Sequence, residues 1–220
     1  MERIKFDKEK NKDQFRTLYS GKAFSSLVDS SGNLKLSGHF VVFNVLSTDR
    51  GGYVAMIPPN SMVLPDYDVV ALFNHDDSHV LGRESNSRLT LGQDEIGYTA
   101  SIELTDTQFN RDLVTDVAAK NVVGFSFGMY PIETRTENIV LTADMVDPNS
   151  GLTALIGKTI SVEIYDKWLL DEVTVTGLPA FPQTDIQNFS KNKKEEGTEE
   201  YKEELETLEL EAQLLGLTID

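Results

Sequence analysis

Cysteine is absent from this chain of 220 residues, which excludes disulfides, zinc–thiolate sites and thiol nucleophiles. Basic residues are few, since 20 Lys and Arg stand against 36 Asp and Glu, and the net charge is −16. A surface that binds nucleic acid is basic, so we expect no nucleic-acid partner. No apolar run approaches transmembrane length, and the charged residues 1–15 lack the apolar segment of a secretory signal. We therefore expect an intracellular protein without a membrane segment.

The patterns along the chain are mainly those of β-strands around one core, with 40% hydrophobic residues. Apolar and polar residues alternate at 88–91 and again at 98–104, on either side of a polar loop bounded by glycines, which predicts a β-hairpin. Apolar residues at helical spacing predict a helix over about 107–120. Two further β-rich runs cover 159–166 and 168–177. We therefore predict a mainly β (α+β) fold.

Composition divides the chain into three parts. Residues 1–20 carry mixed charge and are predicted to be a lead-in segment, residues 21–188 form the domain, and residues 189–220 form a tail. Within the domain, residues 133–158 are mixed in composition, and we interpret them as an irregular excursion. Residues 191–220 contain ten acids and four lysines, and their apolar residues recur at helical or heptad spacing. This predicts an acidic amphipathic helix outside the core.

A lone hydroxyl, that of Ser126, lies in the β-prone apolar run 122–130 between Phe125 and Phe127. Ser126 is either a core serine bonded to the backbone or a nucleophile, and a nucleophile needs a base and a group that orients the base. The sequence G-F-S-F-G matches the G-x-S-x-G elbow of α/β-hydrolases, which requires a following helix and a later histidine. Here the predicted helix and all three histidines precede Ser126. The elbow is therefore excluded.

The candidate bases are the three histidines His39, His75 and His79. His75 is the strongest candidate, because it follows the apolar run 69–73 at the start of a polar loop, where a base is rigidly placed and reachable. We expect His79 to lie in a turn and His39 to be half-buried within a strand. The spacing of His75 and His79 also matches a metal-binding H-x-x-x-H pattern, but no further ligands are evident. We therefore expect neither a metal nor a cofactor.

Two neighbouring carboxylates, Asp171 and Glu172, are candidates for orienting the base. Alternation along a strand puts their side chains on opposite faces. If Val173 and Val175 face the interior, Asp171 shares their face and Glu172 lies on the other. A carboxylate bonded to the far imidazole nitrogen would hold the tautomer and stabilise the imidazolium. Periodicity alone leaves the choice between the two carboxylates open.

Four motifs in order resemble the prohead proteases of tailed bacteriophages. They are FNHDDSHVLGR, the hairpin RLTLGQDEIGYTASIEL, NRDLVTDVAAKNVVGFSFGMY and DEVTVTGLPAFPQTD, and the resemblance covers about residues 35–186. It implies a herpesvirus-protease-like antiparallel β-barrel with surrounding helices. It also implies a serine endopeptidase that trims the scaffolding part of the major capsid protein, and often itself, inside the procapsid in the host cytoplasm.

The resemblance assigns Ser126 as the nucleophile, His75 as the base and Glu172 as the third member. The mechanism would be acyl transfer from the scissile carbonyl to Ser126. The chain departs from the family pattern at Thr174, where phage sequences often have serine, and the excursion at 133–158 is longer than usual.

The implied partners are the major capsid protein and its scaffolding segment, and self-association stays open. The alternative hypothesis is a catalytically silent protein that keeps the same barrel and serves capsid assembly or scaffold binding. The acidic tail would suit such a role. The presence of Ser126, His75 and Glu172 together favours the enzyme.

Overall fold

The computed structural model describes residues 1–19, 24–28, 34–47, 54–146 and 150–177. The strands are Arg3–Ile4 (β1), Arg16–Tyr19 (β2), Phe24–Val28 (β3), Leu34–Val42 (β4), Val54–Met56 (β5), Met62–Pro65 (β6), Val70–Phe73 (β7), Asp76–Arg83 (β8), Leu89–Gln93 (β9), Gly97–Glu103 (β10), Gly124–Val140 (β11) and Thr159–Thr176 (β12). The α-helices are Lys8–Asn11 (α1) and Gln108–Ala118 (α2). Single 3₁₀ turns cover Lys12–Gln14, Ala143–Met145 and Thr153–Leu155. The predicted mainly β class is confirmed.

The described strands form two sheets. The larger has the order β1-β6-β12-β11-β2, and β12 also pairs with β5 and with β7, which in turn pairs with β8. The smaller has the order β3-β4-β10-β9. β12 is antiparallel to β11 and parallel to β5, β6 and β7. A closed barrel was expected, but among the described residues the ladders do not close, because β3 and β9 remain the edges of the smaller sheet.

The hairpin and the long helix predicted from the sequence are both present. β9 and β10 pair antiparallel across the polar loop. α2 begins after Thr107, whose side-chain oxygen accepts a hydrogen bond from the backbone N–H of Asn110 at 3.2 Å. This contact satisfies one of the amides that a helix N-terminus leaves without an intrahelical partner. The helix feeds through a short connection into β11.

The predicted excursion at 133–158 is wrong over its first part. β11 continues through this region to Val140 and stays paired with β12, opposite Thr159. The runs 159–166 and 168–177 likewise belong to one strand, β12. Most of β11 beyond Pro131 is exposed, so its polar composition lacks the alternation that marks a half-buried strand. Pro131 is tolerated because the pairing of β2 with β11 ends at Met129.

The two faces of β11 meet different surroundings. Phe125, Phe127 and Met129 point into the main core, which lies between the two sheets and α2. By strand alternation Ser126 and Gly128 point to the opposite side. We call this side of β11 and β12, which carries Ser126, Gly128 and Glu172, the site face. It is continuous with a second apolar cluster built on Val63, Tyr130 and Leu169.

Two regions of the sequence prediction have a different outcome. The lead-in segment 1–20 contains β1, α1 and β2, so part of it belongs to the larger sheet. The acidic tail 189–220 lies outside the described residues, and the predicted domain boundaries stay predictions. Within the described part of the chain, no helix combines the length and apolar character needed to cross a bilayer.

Candidate active site

Ser126 sits in the middle of the larger sheet, at a position that three strands define. On β11 it lies opposite Thr174 of β12 on one side and opposite Tyr19 of β2 on the other. The side chain of Ser126 is fully buried. A hydroxyl at this depth requires hydrogen-bonding partners, because burial without them is unfavourable.

His75 reaches this serine from a tight turn. Asn74 and His75 form the two-residue loop between β7 and β8, and both have positive φ, at 52° and 58°. The favoured two-residue hairpin turn requires positive φ at both central residues, and Asn and His adopt this conformation more readily than most side chains. The turn is held to β12, since the backbone N–H of His75 donates to Thr174 Oγ1 at 3.1 Å. Because β7 is parallel to β12, the loop lies at the end of β12 that carries Thr174.

Three side chains form a chain of hydrogen bonds. His75 Nε2 lies 2.6 Å from Ser126 Oγ, and His75 Nδ1 lies 2.6 Å from Glu172 Oε1. A carboxylate only accepts, so the shared proton on this side belongs to Nδ1, and Nε2 is left to accept from the serine hydroxyl. This geometry is the one that a nucleophile, a base and a group that orients the base would require.

Burial differs along this chain of hydrogen bonds. The Glu172 side chain is 6% exposed, whereas the His75 side chain is 21% exposed. Within the described part of the chain, the second oxygen of Glu172, Oε2, is buried without a hydrogen-bond partner. The carboxyl group of Glu172 therefore accepts its hydrogen bond from the His75 ring, and it interacts mainly with that imidazole.

Gly128 makes room for the carboxyl group. It lies opposite Glu172 in the ladder between β11 and β12. A Cβ added to Gly128 would lie 2.8 Å from Glu172 Oε1 and 2.6 Å from Cζ of Phe15. Both distances are shorter than van der Waals contact, so a side chain at this position would displace both neighbours. Gly128, two residues after Ser126, thus lets Glu172 lie against the backbone of β11.

Asp171 occupies a different environment from Glu172. The register shifts between Gly128 and Met129, so that Glu172 and Leu170 have partners on β11 and Asp171 has none. Asp171 Oδ1 accepts from the Tyr67 hydroxyl at 2.6 Å and lies 2.5 Å from Lys8 Nζ. Burial, followed by the hydrogen bond with Asp171, raises the pKa of Tyr67. The carboxylate next to His75 is therefore Glu172, and Asp171 forms a separate polar cluster.

The other two histidines pair with other carboxylates. His39 is buried, rather than half-buried as expected, and its Nε2 lies 2.8 and 2.9 Å from the two oxygens of Asp94. His79 lies in β8 and not in the expected turn, and its Nδ1 lies 2.7 Å from Asp76 Oδ2. Among the residues that the structure describes, no group of three or more His, Asp and Glu side chains is arranged to hold a metal ion.

Two residues that shape the site were not predicted from the sequence. Thr174 was noted only as a departure from the family pattern, yet its hydroxyl anchors the His75 turn. Its position two residues after Glu172 on a strand was the available signal, because such residues share a face. Phe15, which lies against Gly128, had no local signal at all.

Comparison with known proteins gives a family match. The chain matches the family described as caudovirus prohead serine protease over residues 23–200, which is most of its length and includes Ser126, His75 and Glu172. Neither a search of curated proteins nor a search of solved structures gives a match. The motifs that suggested prohead proteases thus lie within the matched residues, and the chain belongs to the caudovirus prohead serine protease family.

Proposed function

We propose that this chain is a serine endopeptidase with Ser126 as nucleophile, His75 as general base and Glu172 as the group that orients the base. The observation that carries the proposal is the pair of 2.6 Å contacts that link Ser126, His75 and Glu172. Membership of the prohead serine protease family supports the reaction class independently of this geometry.

The reaction would proceed by acyl transfer. His75 Nε2 takes the proton of Ser126 Oγ as the oxygen attacks the scissile carbonyl carbon. The resulting imidazolium is stabilised by Glu172 and then gives its proton to the nitrogen of the leaving amine, and the C–N bond breaks. Water, deprotonated by the same histidine, then attacks the ester carbonyl. As the C–O bond to Ser126 breaks, the histidine gives this proton to Ser126 Oγ, and the acid product leaves. Donors for the oxyanion must lie near the attacked carbonyl.

Access to the nucleophile would require movement. The Ser126 side chain is fully buried, and His75 is the member of the three that solvent reaches most. A substrate carbonyl is larger than water, so neighbouring groups must shift before it can approach Ser126. Such opening would accompany substrate binding, as the opening and closing of loops does in other enzymes.

The proposed substrate is the scaffolding part of the major capsid protein, cleaved inside the procapsid in the host cytoplasm. The support is the family resemblance and the family match, since prohead proteases act on capsid assemblies. We extend the proposal to cleavage of the protease itself, for which residues in the acidic tail are the proposed site.

Co-expression with the cognate capsid protein tests the proposal. The wild-type chain should shorten the capsid protein, and Ser126→Ala should leave it at full length. Ser101→Ala is the matched control, because Ser101 is a strand serine of the smaller sheet, and it should cleave as wild type does. Processing by Ser126→Ala would refute the nucleophile. If wild type and variants all leave the capsid protein intact while they co-purify with it, the silent assembly role is correct instead.

A further inference from the structure

The first residues of the chain cross the site face. We call residues 1–16 the N-terminal arm. Its beginning is anchored by β1, which pairs with β6 in parallel, Arg3 opposite Leu64. Arg3 also donates to the backbone carbonyl of Pro65 at 2.8 Å and to both carboxylate oxygens of Glu84 at 2.9 Å. A single terminal nitrogen of Arg3 serves both oxygens of Glu84, so this is an exposed ion pair that adds little to stability, and the strand pairing is the firmer anchor.

The apolar side chains of the arm cover the cluster beside the catalytic residues. Ile4, Phe6 and Phe15 pack on Val63, Tyr130 and Leu169. The ring of Tyr130 lies 4.7 Å from that of Phe6 and 5.3 Å from that of Phe15, between ring centroids. The middle of the arm is fixed by Lys8, whose Nζ meets Asp171 and lies over the Tyr67 ring. The arm is therefore bound along its length.

Phe15 lies next to the third member of the proposed triad. Its Cζ is 2.6 Å, and Glu172 Oε1 is 2.8 Å, from the point that a Cβ of Gly128 would occupy. The ring edge and the carboxylate oxygen are thus neighbours across Gly128. Directly after Phe15, β2 pairs with β11 from Arg16 opposite Met129 to Tyr19 opposite Ser126. The strand pairing therefore holds the backbone that follows Phe15 against β11.

We propose that Phe15 is a positioning residue, and that the N-terminal arm completes the wall of the active site by excluding water from the contact between His75 and Glu172. This inference rests on the proposed function. The family match begins at residue 23, so the arm lies outside the matched residues.

Exclusion of water has a defined effect on this pair. A buried carboxylate without water as an alternative partner holds the imidazole N–H more strongly, because electrostatic interactions strengthen as the surroundings become less polar. Truncation of Phe15 would open the space beside Gly128 to water. Glu172 would then be solvated, and the imidazole would be less firmly oriented towards Ser126.

Phe6→Ala is the matched control for Phe15→Ala. Both variants remove a partly buried phenylalanine of the arm that packs on Tyr130, but only Phe15 lies against Gly128. A general loosening of the arm affects both variants. A specific effect on the contact between His75 and Glu172 is confined to Phe15→Ala. Phe15→Met keeps an unbranched apolar side chain that reaches nearly as far as the ring and should restore most of what Phe15→Ala loses.

The first test follows the His75 Nδ1 proton by ¹H NMR on full-length protein labelled with ¹⁵N-histidine, with the signal identified by its loss in His75→Ala. Wild type, Phe6→Ala and Phe15→Met should show a downfield signal protected from exchange with water. Phe15→Ala should broaden or lose it. An unchanged signal in Phe15→Ala, or an equal loss in Phe6→Ala, overturns the inference. This readout does not depend on cleavage, so it stands even if the proposed function fails.

The second test uses kcat for cleavage of the capsid protein. Phe15→Ala should lower kcat by about 10- to 100-fold, the range expected for a misplacement of up to 1 Å in a catalytic group. In a Glu172→Gln background the same truncation should lower it by less than about twofold, because two residues that act through one contact are not additive. Additive losses would overturn the positioning role.

Discussion

Gly128→Ala is the change that most directly probes how closely the site is packed. The added Cβ would lie 2.6 Å from Phe15 Cζ and 2.8 Å from Glu172 Oε1. Carbon atoms in contact sit at about 3.5–4.0 Å, so the Phe15 ring must retreat by about 1 Å. The carboxylate oxygen needs to move by only several tenths of an ångström. The substitution therefore strains the arm and pushes Glu172 away from His75 at the same time.

Two magnitudes follow from these distances. Overpacking in a well-packed region costs about 1–3 kcal/mol of folding free energy, and the reduced freedom of the unfolded chain on going from Gly to Ala returns about 0.4–1 kcal/mol. The net loss of unfolding free energy should be about 1–2 kcal/mol. Since a displacement of 1 Å can lower the rate about 100-fold, a shift of several tenths of an ångström in Glu172 should lower kcat roughly 10-fold.

The assay pairs denaturant unfolding with kcat on the capsid protein, and Gly92→Ala is the control. A Cβ on Gly92, in β9 of the smaller sheet, would lie 2.7 Å from Thr99 Oγ1. This variant suffers comparable crowding but leaves Glu172 untouched. It should lose stability while its kcat stays as in wild type.

Two outcomes would refute the reasoning. Wild-type stability and kcat in Gly128→Ala would mean that Glu172 and Phe15 do not lie against this glycine. An equal loss of kcat in Gly92→Ala would mean that the activity reports general destabilisation and not the position of Glu172.

Three further predictions concern neighbouring residues. Glu172→Gln should lower kcat by roughly 10²–10⁴-fold and leave residual cleavage, whereas Asp171→Asn should change kcat by less than about twofold. The larger loss in Asp171→Asn would mean that Asp171, and not Glu172, orients His75. His75→Gly and His75→Ala should both abolish cleavage. The unfolding free energy of the glycine variant should be about 1 kcal/mol higher than that of the alanine variant, because residue 75 has a φ of 58°. Equal unfolding free energies would contradict strain in the turn. Hydrogen bonds, of which that from the Ser78 hydroxyl is the largest cause, lower the pKa of Asp76 to about 2. The stability that Asp76 contributes is therefore fully present above pH 3.8, its ordinary pKa, and is lost as the pH falls through 2. Ser78→Ala should move this pKa up towards 3.8 in an NMR titration of the carboxyl carbon, and an unchanged titration would show that the hydroxyl has no part in the shift.

The parts of the fold that could be predicted are those whose signals are local. The β9–β10 hairpin has alternating residues on both sides of a Gly-bounded loop, and α2 has a capping residue directly before its apolar periodicity. Both elements carry one apolar face, which periodicity detects. The outer half of β11 lacks such a face, because most of it is exposed and, among the described strands, it pairs there only with β12. Its strand pairing depends on a long-range partner that composition does not reveal.

The candidate site shows the same limit. His75 was chosen over His39 and His79 because it lies at a strand end, which is local information. The prediction that Ser126 lies near His75 rested on family resemblance. Their contact arises because β12 lies between β7 and β11 in one sheet. The choice of Glu172 over Asp171 depends on a shift of register at Gly128, which is a property of the paired strands.

Reaction with a small fluorophosphonate, followed by mass spectrometry, tests the central claim most directly. The reagent reacts with a serine oxygen only when a base removes its proton, so it reports nucleophile and base together. The account predicts one adduct on Ser126, complete loss of capsid-protein cleavage in the modified protein, and no adduct in His75→Ala. It would be contradicted by a protein that loses cleavage through an adduct on another residue, or that continues to cleave with Ser126 fully modified.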